Sequence, residues 1–150
     1  MNQPAAQLNA PARTFTQLLS STRRGARLAR LLSVNELRSW DTPPALTERA
    51  EAVVAELASN AVIHGRVAGR CFRLTLAFEP SAGRLRVEVS DARGDLYPQI
   101  VTDPAEADAL RTGGRGLALV TALADRWHCV PHPPGGKTVR AELFDTTISL

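Results

Sequence analysis

The sequence has 150 residues, of which 44% are hydrophobic, and a formal net charge of +3. This length suits one domain with a buried core. Its apolar runs fall short of the ~20 residues that cross a bilayer, and the N-terminus lacks a signal pattern, so we expect a cytoplasmic protein without a membrane partner. Two isolated cysteines, Cys71 and Cys129, rule out a disulfide framework and are expected to be small buried apolar residues.

The positive charge is concentrated near the N-terminus. Residues 1–40 contain six arginines and a single acidic residue, Glu36. This segment could be a solvated helix face, a docking surface for an acidic protein or a second copy, or a weak nucleic-acid patch. The absence of interleaved aromatic residues and of a known reading motif argues against nucleic acid.

The N-terminal part of the chain predicts a tail, an edge strand and a helix. Residues 1–13 are expected to be a disordered tail because they have little apolar surface to bury. Residues 14–19 could form a short edge strand. Residues 20–40 then follow a helical pattern, with Ser20, Ser21 or Thr22 as the N-cap.

A second helix is expected after the prolines at positions 43 and 44. Thr47 is the predicted N-cap, and Glu48 and Glu51 lie in the first turn, where the helix dipole favours acids. Gly65 is a natural residue to follow the last turn.

Alternation of apolar and polar residues predicts two strands next. Residues 71–78 and 84–91 each place every second side chain on an apolar face, with a turn between them. Asp91 continues the inward phase of its strand, where a carboxylate needs a partner. A capping role for Asp91 is equally consistent with the strand alone. Residues 92–113 form a connection long enough to suggest a functional lid.

The C-terminal third predicts a helix and a hairpin. Gly113 to Gly116 lead directly into an apolar helix, an arrangement that suits phosphate binding but also simple loop geometry. Residues 126–130 and 137–144 then read as strands joined by a Pro- and Gly-rich turn at 131–136. The single domain is therefore expected to cover 14–145, with a C-terminal tail at 146–150.

Three polar residues share one stripe of the second helix. Glu56, Asn60 and His64 are spaced four residues apart and therefore stack along one side. An amide oxygen can bind a hard cation such as Mg²⁺, while a neighbouring carboxylate can accept a proton. Spacing alone favours the simpler interpretation, an exposed helix face whose polar side chains are solvated.

The order of these features resembles the Bergerat-fold (GHKL) ATP-binding superfamily. The helix motif E-L-x-x-N-A-x-x-H, an Asp at a strand end and G-x-G at a helix start occur in that order. Within the superfamily, the chain is similar to the small single-domain anti-sigma-factor serine kinases of actinobacteria. The resemblance implies an α/β two-layer sandwich, with helices on one face of a mixed, mostly antiparallel sheet.

The resemblance also implies roles for individual residues, and it implies ATP and Mg²⁺ as cofactors. By position, Glu56 matches the general base, Asn60 the Mg²⁺ ligand and Asp91 the carboxylate that reads adenine. His64 matches a wall of the pocket. The remaining implied nucleotide-binding residues are Gly114, Arg115, Gly116 and Leu117 in the phosphate segment and Thr138 in the last strand.

The chain departs from the family pattern at three places. The glycines expected after the adenine Asp are replaced, since the sequence reads Asp91-Ala92-Arg93-Gly94-Asp95. Ile63 stands where a basic residue is common, and Lys137 precedes Thr138 where the motif is often Gly-Thr. These departures define two alternatives for the function.

The first alternative is a serine/threonine protein kinase. It would phosphorylate a STAS-type anti-anti-sigma partner and sequester a sigma factor, and the resemblance also implies a homodimer. The second alternative is a non-catalytic protein-binding switch of the same fold, with weak or lost nucleotide binding.

Overall fold

In the part of the chain that the structure describes, five strands form one antiparallel sheet, and three helices pack against it. The order of the strands across the sheet is Arg13–Ser20, Cys71–Glu79, Arg84–Asp91, Gly136–Phe144 and Arg126–His132. The computed structural model describes residues 11–94 and 114–146. The elements in chain order are β1 (Arg13–Ser20), α1 (Arg23–Ser39), α2 (Pro44–Ile63), β2 (Cys71–Glu79), β3 (Arg84–Asp91), α3 (Gly114–Leu123), β4 (Arg126–His132) and β5 (Gly136–Phe144). The predicted two-layer α/β sandwich is confirmed.

The two faces of the sheet differ in chemistry. Strands β2 and β3 bury every second residue, as the alternating pattern predicted, and Leu74, Leu76 and Val87 have no exposed surface. The opposite face carries cross-strand polar pairs, including an ion pair between Glu88 and Arg140. The described helices therefore all lie on the apolar face of the sheet.

Helix α2 is the central element of the helical layer. It contacts α1 and α3 as well as strands β2, β3 and β5. Its buried side chains include Val53, Leu57 and Ala61, which belong to the main hydrophobic core. This position brings its C-terminal end close to the end of β3.

The start of α1 agrees with the sequence-based prediction, and the start of α2 does not. Thr22 is the N-cap of α1, as predicted, and its hydroxyl oxygen accepts a hydrogen bond from the Gly25 amide at 3.0 Å. The prediction of Thr47 as the N-cap of α2 was wrong. The helix begins at Pro44, because proline suits the first helical turn, and Thr47 is a buried residue inside the helix.

Smaller differences concern the cysteines and the last hairpin. Cys71 is exposed because it lies on the outward phase of β2, so the prediction of a buried residue was wrong there, while Cys129 is half-buried. Strand β4 extends to His132 and shortens the predicted turn to 133–135.

The remaining predictions concern the ends of the chain and the long connection. β1 begins at Arg13, one residue before the predicted domain boundary. Residues 1–10, 95–113 and 147–150, and with them most of the predicted lid and tails, lie outside the described residues. In the described part of the chain, no helix is both long and apolar enough to cross a membrane.

Candidate nucleotide site

The polar stripe of α2 is present and half-buried. Glu56 and Asn60 lie in the C-terminal half of the helix, and His64 is its C-cap residue. Within the described part of the chain, none of these three side chains has a hydrogen bond or ion pair. Their polar atoms can therefore serve a ligand.

Arg49 shows which side of α2 carries the stripe. Its guanidinium donates to the carbonyl of Leu123 at the end of α3, at 2.8 Å from Nη2, and to the carbonyl of Phe144 at 2.9 Å from Nη1. Glu56 follows Arg49 by seven residues, which is two helical turns, and Asn60 follows by a further turn. The stripe therefore runs along the side of α2 that faces α3.

Asp91 lies at the end of β3 on the helix-covered face of the sheet. The strand register places it directly opposite Lys137 of β5. Both residues are buried, with exposed fractions of 7% for Asp91 and 4% for Lys137. The Lys137 ammonium nitrogen lies 2.9 Å from each carboxylate oxygen of Asp91. The inward Asp91 therefore has its partner inside the chain.

The pKa of the Asp91 carboxyl reflects this burial. Desolvation raises the pKa above its ordinary value, while hydrogen bonds from Lys137 and from the Arg93 amide act in the opposite direction. The ion pair is therefore held in a largely dry environment.

Gly65 joins the end of α2 to Asp91. A Cβ atom on Gly65 would lie 2.2 Å from Oδ2 of Asp91, so only glycine allows this close approach. The contact with Asp91 therefore requires a glycine at position 65, in addition to the role of Gly65 at the end of the helix. The contact places Asp91 beside the C-terminal end of the polar stripe.

The segment after Asp91 folds back onto the ion pair. The Arg93 amide donates to Oδ1 of Asp91 at 2.8 Å, and the Arg93 carbonyl accepts from Lys137 at 2.8 Å. The Gly94 amide donates to the Gly135 carbonyl at 2.9 Å, which ties the segment to the β4–β5 turn. Among the described non-glycine residues, Asp41 alone has a positive φ, so Arg93 keeps an ordinary backbone conformation.

The predicted phosphate segment opens a helix, as expected. Gly114, Arg115 and Gly116 form the first turn of α3, and Leu117 is a buried anchor with 3% of its surface exposed. The backbone amides at such a helix start favour an anion.

Thr138 lies on the other side of the sheet. Its hydroxyl is 2.6 Å from that of Ser90, its neighbour across the strands. Because successive residues of a strand point to opposite faces, Thr138 points away from the face that carries Asp91 and Lys137. The structure brings together Asp91 and the end of α2, and it places Thr138 apart from them.

The comparison with protein families identifies the domain. The model of the histidine kinase-like ATPase domain matches residues 19–143, from the end of β1 to β5. The chain belongs to this family. The family is described as an ATPase domain, so the ligand that it implies for this chain is ATP.

Two solved structures share the fold. The RsbU and RsbW domains of Rv1364c from Mycobacterium tuberculosis match with a TM-score of 0.65 and 21% identity over 90% of this chain and 33% of that chain. The SiaB–SiaC complex from Pseudomonas aeruginosa matches with a TM-score of 0.59 and 15% identity over 86% of this chain and 88% of that chain. This chain thus spans a third of the Mycobacterium chain. A search of curated proteins finds no match.

The residues fit ATP and Mg²⁺ at one end of the site and not at the other. The free amide of Asn60 suits Mg²⁺, which commonly takes one or two protein oxygens together with phosphate oxygens and water. The start of α3 suits phosphate. At the opposite end, Asp91 is already engaged by Lys137 and by the Arg93 amide, so this arrangement does not fit the amine of adenine.

Sequence reasoning missed the roles of Lys137 and Arg49. Lys137 shares the inward phase of β5 with Val139, Ala141 and Leu143, and a lysine in that phase signals a buried acidic partner. Arg49 gave no such signal, because its partners, the backbone carbonyls of Leu123 and Phe144 and the Asp125 carboxylate, are distant in the chain.

Proposed function

We propose that this chain is an ATP-dependent regulator of the anti-sigma-factor type. In this proposal it acts as a serine/threonine protein kinase on a STAS-type anti-anti-sigma protein and sequesters a sigma factor in its other state. The observation that carries the proposal is the half-buried stripe of Glu56 and Asn60 on the side of α2 that faces α3, whose side chains have no partner among the residues that the structure describes.

The stripe supplies the groups that phosphoryl transfer needs. Positioning and charge neutralisation provide most of the catalysis in this reaction. The Asn60 oxygen would bind Mg²⁺, and the amides at Gly114 and Gly116 would face the phosphates. Glu56 would accept the proton of a serine or threonine hydroxyl on the partner. His64 would form a wall at the end of the stripe.

The structural relatives support a regulatory role with a protein partner. One of them is named as an RsbW domain and the other as a SiaB–SiaC complex, which contains two different proteins. We extend a regulatory role with a protein partner to the present chain as part of this proposal.

A phosphoryl-transfer assay tests the kinase. Purified STAS-domain proteins are incubated with the chain, radiolabelled ATP and Mg²⁺, and label on the STAS protein is measured. The Glu56→Gln variant keeps the size of the side chain and removes the base, so we expect transfer to fall by about 100-fold. Glu48→Gln, on the exposed surface of the same helix, is the matched control. Equal transfer by Glu56→Gln and the parent would remove Glu56 from the mechanism.

The ion pair between Asp91 and Lys137 favours a second candidate, the non-catalytic switch. In that case the chain sequesters its partner without nucleotide chemistry, because the residues that would read the base are engaged with each other. Calorimetric titration with ATP and Mg²⁺ separates the two candidates. Tight binding contradicts the switch, whereas partner binding without any nucleotide requirement contradicts the kinase.

A further inference from the structure

The polar groups at the Asp91 end of the site are engaged with one another. The ammonium of Lys137 has three N–H donors. Three oxygens lie within hydrogen-bonding distance of it, namely Oδ1 and Oδ2 of Asp91 at 2.9 Å and the Arg93 carbonyl at 2.8 Å. Hydrogen bonds to Oδ1 of Asp91 and to the Arg93 carbonyl therefore use two of these donors and hold Lys137 against Asp91.

The carboxylate of Asp91 is equally engaged. Oδ1 accepts from both the Lys137 ammonium and the Arg93 amide. Oδ2 lies 2.9 Å from the Lys137 ammonium in the ion pair and packs against Gly65, where even a Cβ atom would not fit. An amine on an incoming base would therefore have to compete with Lys137 for Asp91.

We infer that Lys137 determines nucleotide affinity and base selectivity in this chain. Its ammonium occupies the acceptors that would otherwise bind the exocyclic amine of adenine. A purine enters this end of the site only after Lys137 leaves Asp91. Nucleotide affinity therefore comes from contacts of the triphosphate with Asn60 and the start of α3. Selectivity between adenine and other bases is low.

This inference rests on the proposed nucleotide function and deepens it. It also connects the two candidate functions. The ease with which an adenine base displaces Lys137 from Asp91 would determine the affinity of the site for ATP, and a kinase needs that affinity whereas a non-catalytic switch does not. The β4–β5 turn precedes Lys137 and accepts a hydrogen bond from the Gly94 amide, so the turn and the ion pair are linked through the segment after Asp91.

Base selectivity provides the test. Inosine triphosphate differs from ATP by a carbonyl oxygen in place of the exocyclic amine. Dissociation constants for the two nucleotides are measured by calorimetry with Mg²⁺, using the parent chain, Lys137→Met and Lys137→Arg. Met removes the donors and keeps the length of the side chain, whereas Arg keeps the charge and can bind both carboxylate oxygens.

We expect the parent and Lys137→Arg to bind the two nucleotides with similar affinity. In Lys137→Met, Asp91 becomes free to accept from the amine, so preference for ATP over inosine triphosphate should rise by about tenfold or more. A parent chain that already prefers ATP strongly, with the same preference in Lys137→Met, would overturn the inference and leave the proposed function intact. Absence of binding to every variant would overturn both.

A second measurement uses the parent chain and does not depend on the folding of a variant. Lys137 is the only lysine in the sequence, so amine acetylation followed by mass spectrometry reports on this side chain alone among the internal residues. We expect acetylation of the folded chain to be at least about tenfold slower than that of the urea-unfolded chain, because the amine is buried and paired. Equal rates would show that the ion pair is absent in solution and would overturn the inference.

Discussion

Gly65, just after α2, is in close contact with Asp91 at the end of β3. The space beside the Gly65 Cα admits a hydrogen atom but no larger group. A Cβ there would lie 2.2 Å from Oδ2 of Asp91. The contact couples the end of the α2 stripe to the ion pair on the sheet.

The first prediction follows from this contact. Gly65→Ala should force Asp91 away from its present position and destabilise the fold by about 1–3 kcal/mol, the usual range for an overpacked site. Urea unfolding measures the loss. The acetylation rate of Lys137 should rise in the same variant, because its partner has shifted.

Gly69→Ala is the control for this prediction. Gly69 has a φ of +76°, and no atom lies within 4 Å of a Cβ placed there. Its replacement should cost about 1 kcal/mol for the backbone conformation and leave Lys137 protected. Increased labelling of Lys137 in Gly69→Ala but not in Gly65→Ala would contradict the predicted coupling.

The second prediction concerns the stability of the buried ion pair. Lys137→Met leaves the Asp91 carboxylate buried without its partner, so the free energy of unfolding should fall by about 3–5 kcal/mol. Arg140→Met removes one of the two arginine partners of Glu88 on the other face of the sheet and should cost only about 0.5 kcal/mol, because Arg86 remains paired with Glu88. Chemical denaturation compares the two.

A double variant separates loss of the pair from loss of packing. Lys137→Met combined with Asp91→Leu removes both charges and should be more stable than Lys137→Met alone, because no buried charge is left unpaired. Additive losses in the double variant would show that the two side chains act independently.

The third prediction tests Arg49 as the residue that holds α2 to α3. Arg49→Met leaves the carbonyls of Leu123 and Phe144 without their donors and should destabilise the fold by about 1–3 kcal/mol. Arg49→Lys should recover only part of this, because one ammonium cannot reproduce the fork of the guanidinium. Arg24→Met, on the exposed face of α1, is the control and should be close to neutral.

The fourth prediction is a dependence of stability on pH. The side-chain hydrogen bond from Arg126 lowers the pKa of Glu142 below its ordinary value, against the opposing effect of burial, and charges at Arg126, Arg84 and His128 lower it further. A lowered pKa stabilises the fold above the ordinary glutamate value, and this stabilisation is lost as pH falls through the folded-state pKa.

Arg126→Met removes the largest of these causes. At pH 7 the variant should be less stable by about 0.5–1 kcal/mol, since Arg126 is largely exposed. The difference between the parent and the variant should shrink as pH falls below about 4. Urea unfolding at several pH values measures it, and a difference that is constant down to pH 3 would contradict the assignment.

Local patterns in the sequence predicted most of the elements. Alternation in β2 and β3 follows from the two-residue period of a strand with one buried face, so the burial of Phe72 and Val87 and the inward phase of Asp91 could be read directly. The cap at Thr22 was equally local. The start of α2 could not be predicted from local sequence in the same way, because both Pro44 and Thr47 are residue types that commonly begin a helix. The folded structure shows that the helix begins at Pro44.

The sequence by itself determined the order of elements, the spacing of Glu56, Asn60 and His64, and the family-like arrangement of motifs, because each depends on residues near one another in the chain. The tertiary structure alone decided that Asp91 pairs with Lys137, since cross-strand register depends on the whole sheet. It also decided that Thr138 faces the opposite side and that Gly65 touches Asp91. These relationships join distant parts of the chain, and they determine which groups remain for a ligand.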